Sequence, residues 1–182
     1  MNKKLLFIFY IGIILVYGCS SKEPLIIPSK NITTNSCYLF PALDLPLEYQ
    51  QGDIYPNGKS DNTTGFQNSC GTTINIEESG NNTQRINGNL VILSFKSFFK
   101  ASNYYNNEAN KIKENYLYRE NNITKINTTT CFWAKGYTLE ITLSKMVCYK
   151  YNIAYMIDVQ SKDINPNDYI YNLSQAVSKR IE

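Results

Sequence analysis

Among its 182 residues the chain has no histidine. Metal sites of the His/Cys type and nucleophilic triads that use imidazole as base are therefore excluded. No Cys-x-x-Cys pair occurs, which removes a thioredoxin-like redox site. A Gly-x-Ser-x-Gly elbow, a phosphate-cradling glycine loop and a dinucleotide fingerprint are missing as well. Long apolar runs are lacking too. The longest, Leu5 to Tyr17 with Gly12 inside it, would make a helix of about 20 Å against about 30 Å of hydrocarbon. Charge is sparse and nearly balanced. Lys3 and Lys4 supply two of the formal +3, and no acidic residue precedes Cys19, so the chain from Cys19 onward carries +1. A domain so close to neutral lacks the electrostatic footprint of nucleic-acid binding. Lys179-Arg180 reads as a solvated helix end.

What is present begins with an address. Lys3 and Lys4 followed by a short apolar run have the form of an export signal rather than a membrane span. Val16, Gly18 and Cys19 resemble the bacterial lipobox, with Tyr17 departing from its usual small residue. That resemblance implies removal of residues 1–18 and lipid on Cys19, the chains each contributing about 0.8 kcal/mol per buried CH₂. An ordinary signal peptide ending near a cysteine, or an uncut anchor, are the alternatives. Ser20 rather than Asp follows Cys19, which favours the outer membrane if the cell has two. The expected location is the cell envelope, lipid-anchored, facing the periplasm or the surface.

With Cys19 set aside, Cys37, Cys70, Cys131 and Cys148 remain. Four thiols in an exported domain point to two disulfides, for which three connectivities exist, or to reduced buried side chains. Six Asn-x-Ser/Thr triplets accompany a composition rich in Asn, Ser and Thr, and are not read as glycan sites.

Ser20 to Asn35, with Pro24 and Pro28, reads as a flexible tether (19–35 counting the lipidated cysteine), and 36–182 as a single domain. Asp44 with Pro46 suggests a short helix start. Gly52 to Asn68 and Glu78 to Asn89 read as polar loops. Asp53, Asn57 and Asp61 do not fit the spacing of an EF-hand. Cys70–Ile76 and Asn89–Ser97 read as strands. Phe98, Ala101, Tyr105, Ala109, Ile112, Tyr116 and Leu117 share a helical face. Cys131–Lys135 is strand-like, and 137–143 and 146–159 alternate as two paired strands of an antiparallel sheet. On that alternation Cys148 falls on the less apolar parity. A bond from it to the nearest cysteine, Cys131, would cross the outer face of the sheet, leaving Cys37 to pair with Cys70. In the chain-entropy model loops of this length contribute roughly 3–4 kcal/mol each. Asn165-Pro166 opens a last helix with Tyr169, Ile170, Leu173, Ala176, Val177 and Ile181 on one face.

The layout, carried by Cys37-Tyr38-Leu39, Ser69-Cys70, Phe132-Trp133-Ala134, Thr138–Ile141 and Leu173–Ile181, resembles small exported lipoproteins with a PsbP-like α/β/α sandwich. The Gly-rich turn usual in that family before the late strands is missing from Asn121–Thr130. The expected fold class is α+β: an antiparallel sheet packed with two main helices, with two disulfides. The resemblance implies no catalytic residues, and suggests partner or ligand binding.

The function expected is a non-catalytic binding module for an envelope protein or ligand. An inhibitor or immunity-type protein blocking an envelope toxin or hydrolase, and a structural envelope lipoprotein, are alternatives. Enzyme activity is not expected, because Glu77-Glu78 point to opposite faces of a strand and only Asp158 with Asp163 offers another acidic grouping. No cofactor or metal is called for. The membrane, through Cys19, and an unidentified protein or envelope ligand are the expected partners. Trp133, Tyr137 and Tyr149 are aromatic candidates for a binding surface, against packing beside a disulfide or in the core.

Overall fold

Antiparallel hairpins make up most of the sheet. The computed structural model describes residues 30–41, 49–56, 64–78, 84–162 and 165–182. The expected signal segment, Cys19, most of the tether, Asp44-Pro46, Asn57, Asp61 and Asp163 lie outside them. Eight strands form one sheet: β1 (Tyr49–Gln51), β2 (Tyr55–Pro56), β3 (Phe66–Glu78), β4 (Gln84–Phe95), β5 (Tyr118–Ile126), β6 (Thr129–Tyr137), β7 (Thr142–Lys150) and β8 (Ile153–Ser161). Their order is β1-β3-β4-β8-β7-β6-β5, with β2 also on β3, and every pairing is antiparallel.

Two helices cover this sheet. α1 (Phe98–Glu114) is capped by Ser97, whose side chain accepts from the Lys100 N–H, and it buries Ala101, Tyr105, Ala109 and Ile112. Tyr105, Ala109 and Ile112 pack on Phe132, Ala134 and Val147, and Ala101 on Phe95 and Ala154. α2 (Asn167–Arg180) buries Ile170, Leu173, Ala176 and Val177. Its partners are Met146, Tyr155, Ile157, Leu90 and Ile92. Val147 and Met146 are neighbours on one strand and point to opposite sides, so the helices lie on opposite faces.

The expected α+β, PsbP-like sandwich is corrected: this is mostly an antiparallel sheet of eight strands, with two helices packed on it. The β content was underestimated because polar stretches read as loops are strands. Asn68 and Asn89 lie within β3 and β4, pairing with Ser94 and Thr73. Asn89 is exposed to water, and Asn68 accepts from the Ser36 N–H and hydroxyl, so neither amide is left without a partner in the sheet.

A second correction concerns the late strands. The stretch 146–159 is two strands, not one, joined by a turn at Tyr151-Asn152. Tyr151 has φ 54°, in the left-handed region that a two-residue hairpin turn requires and that Tyr rarely adopts. Asn152 holds the turn, donating through Nδ2 to the Phe95 carbonyl at 2.8 Å. Likewise 138–141 is a turn rather than the middle of a strand, with Leu139 fully exposed.

The turn at Tyr151 exchanges parities. Cys148 pairs with Tyr155 and Met146 with Ile157, so even positions of β7 share a face with odd positions of β8. The Cys131–Cys148 bond therefore does not cross an outer face. It lies wholly buried under α2, near the Ser174 hydroxyl, with Cα atoms 4.1 Å apart. Cys37 bonds Cys70, tying a 3₁₀ turn at Ser36–Leu39 to β3.

Candidate functional site

The three aromatic residues singled out from the sequence do not converge. Tyr149 points to the α1 face, where its ring lies 4.8 Å from Tyr105 and 5.6 Å from Phe98, and it lines a separate groove of about 220 Å³ with Thr130 and Tyr151. Tyr137 ends β6, donates to Glu120 at 3.2 Å and lies under the Lys135 ammonium at 5.0 Å. Trp133 is on the α2 face at mid-strand, opposite Met146.

A groove of about 280 Å³ opens over Trp133. Trp133 and Met146 belong to adjacent strands, β6 and β7; Asn122 and Thr124 come from the sheet-edge strand β5, and Asn167, Asp168 and Tyr171 from the first turns of α2. Strand alternation aims Asn122, Thr124 and Trp133 to one side, because Thr124 is opposite Cys131 and Asn122 opposite Trp133. On the helix, Asn167, Asp168 and Tyr171 fall within one turn.

Hydrogen bonds order the groove. The Trp133 indole N–H donates to Ser144 Oγ at 2.9 Å, and that hydroxyl donates to Asn167 Oδ1 at 3.3 Å. With its N–H engaged, Trp133 offers the groove no polar donor. The amide N–H₂ of Asn167 is a donor not used in this pair. Among the described residues that line the groove, Asp168 supplies the one carboxylate and there is neither Lys nor Arg. Helix α2 starts without the expected Asn165 cap: Pro166 holds the cap position and no side chain bonds the first turn.

Of the lining residues, sequence reasoning names Trp133 alone as a candidate. Tyr171 had a signal: it is an aromatic residue on the polar side of an amphipathic helix, 41% exposed, where core packing does not require it. Asn122 and Thr124 had none, since β5 itself was not recognised.

Of the acidic groupings noted in the sequence, Asp163 and the side chains of Glu77 and Glu78 lie outside what the structure describes. Asp158 is bonded to Lys145 at 3.2 Å, on the face away from the groove. Among the described residues no cluster of three or more Cys, Asp or Glu is placed to hold a metal ion, and no helix is long and apolar enough to cross a membrane.

No family model and no curated protein matches the sequence. In structure the chain is similar to the extracellular domain of PknH from Mycobacterium tuberculosis, at 14% identity and a TM-score of 0.49, over 81% of this chain and 92% of that one. A likeness of that degree carries no argument about role.

Proposed function

We propose that the chain is an exported, lipid-anchored, non-catalytic binding module that holds an envelope component in the Trp133 groove. The observation that carries this reading is the groove itself: an ordered indole ring walled by amides, a carboxylate and a phenol. Recognition sites of small extent combine apolar faces with a few convergent polar groups in this way. Two disulfides support export to an oxidising compartment.

Attachment supports the same reading. Ile32 enters the fold at the β7–β8 turn, its N–H donating to Asn152 Oδ1 at 2.6 Å and its carbonyl accepting from Asn152 Nδ2 at 2.9 Å. A lipid tether leading to residue 30 would turn that end of the sheet toward the bilayer. The opposite end, with the β6–β7 turn and the start of α2, would face outward, a strand length of roughly 30 Å away. The groove lies at mid-strand, with the start of α2 on its outward side.

A second reading, an inhibitor that docks on an envelope enzyme, is favoured by the outward turn at 138–141, where Leu139 and Ile141 are exposed. One experiment separates the two. Full-length protein in lipid vesicles is used to capture components of envelope extract, alongside Tyr171→Ala and Leu139→Ser. The groove reading expects a component lost by Tyr171→Ala and kept by Leu139→Ser; the inhibitor reading expects the reverse. Capture of nothing, or turnover of a test substrate, would overturn the binding-module account. Anchoring is tested separately by Cys19→Ala, which should leave the precursor unprocessed or release it.

A further inference from the structure

The chemistry of the groove narrows what it can hold, an argument that rests on the groove being the binding site. Trp133 lines it with its N–H already spent on Ser144, so what the indole offers a ligand there is apolar. Its walls carry amides at Asn122 and Asn167, the Asp168 carboxylate and the Tyr171 phenol. Among the described residues that line it Asp168 is the one charge, so phosphates and carboxylates meet repulsion with no cation there to offset it. At about 280 Å³ the space lies just under the roughly 300–1,000 Å³ of pockets for drug-sized ligands, which suits a single ring rather than an extended molecule.

A neutral sugar ring has the matching surface. Its C–H face is apolar and covers an aromatic ring, while its rim of hydroxyls donates to carboxylate and amide oxygen and accepts from amide N–H. A polypeptide adding as a strand beside the groove is less well served. The free edge is β5, which carries Arg119, Glu120 and Lys125, the charges that guard an edge against pairing. We infer that the groove is a saccharide site, with one neutral pyranose ring stacked on Trp133 and its hydroxyls bonded to Asn122, Asn167 and Asp168.

The test uses a property of the chain: Trp133 is its sole tryptophan, so indole emission reports on the groove alone. Full-length protein is titrated with N-acetylglucosamine, glucose and galactose, and with choline and inorganic phosphate as contrasting probes. At least one sugar should give a saturable emission change at or below about 10 mM. Tyr171→Ala and Asn122→Ala, both at exposed positions, should each weaken it by about tenfold. Phosphate should give none. Silence with all three sugars, or unchanged affinity in both variants, overturns the inference. If the sugars are silent while choline or envelope extract shifts the emission, the groove remains a binding site and the saccharide assignment falls. If every probe and the extract are silent, both fall.

Discussion

Trp133 donates its indole N–H to the hydroxyl of Ser144 at 2.9 Å, across the ladder between β6 and β7. Ser144 in turn donates to Asn167 Oδ1 at 3.3 Å, so the indole lining the groove and the helix turn at its wall are held by one chain of hydrogen bonds. Ser144 is completely buried, so water does not compete for these contacts.

Ser144→Ala should therefore do more than remove a small side chain. It leaves the Trp133 N–H without its partner, a cost of about 1–3 kcal/mol for a buried donor. Urea unfolding followed by tryptophan emission should show a lower midpoint and an altered native spectrum. An unchanged spectrum would mean that Ser144 does not set the indole's surroundings.

Tyrosines give the fold an alkaline limit. Burial pushes Tyr104 and Tyr118 from the ordinary value of 10.0 up to about 12, with smaller contributions from Glu108 and Asp158 respectively. Burial raises Tyr155 further still, although its bond to Ser174 works the other way. The folded chain keeps protons that the unfolded chain releases. Stability is thus fully present below pH 10 and falls as pH rises from 10 toward 12. Absorbance titration should show a group of tyrosines ionising only as the fold is lost; fifteen tyrosines titrating freely near 10 would contradict this.

The two disulfides should differ in accessibility to reductant. Cys131 and Cys148 are wholly buried beneath α2, whereas Cys37 is partly exposed on the 3₁₀ turn. Under native conditions thiol alkylation and mass mapping should find Cys37 and Cys70 freed first, with Cys131 and Cys148 protected until unfolding. Loss of either bond should cost about 3–4 kcal/mol in the chain-entropy model, for separations of 17 and 33 residues. Simultaneous release of all four thiols would contradict the placement.

Gly136 marks a close approach. A Cβ there would run into the Leu117 carbonyl group and meet the Tyr118 Cα at 3.3 Å, so the backbone entering β5 would have to move. Gly136→Ala should destabilise the protein by about 1–3 kcal/mol, as overpacking does. Because β5 forms a wall of the groove, the same variant should also weaken ligand binding. Hydrogen exchange along β5 reads the effect directly.

Much of this architecture was legible from the residues. The α1 face of Ala101, Tyr105, Ala109 and Ile112 and the α2 face of Ile170, Leu173 and Val177 follow from helical spacing, and both are buried. What misled was a turn whose left-handed position is filled by a tyrosine. Tyr151 occupies a left-handed position that glycine or asparagine would have announced, so alternation was carried straight through it and the faces of β7 were exchanged. Asn127, at φ 55°, plays the same part between β5 and β6, where a glycine was looked for. Of the groove, Trp133 was visible as a lone large aromatic residue. Asn122, Thr124 and Tyr171 become a site only when an edge strand and a helix are brought together, which local sequence does not encode.

The central claim, that the Trp133 groove is where this protein binds, is tested most directly by tryptophan emission from full-length protein in lipid vesicles as envelope extract is titrated in. A saturable shift that disappears in Tyr171→Ala is the predicted result. No shift, or an equal shift in the variant, would contradict the claim.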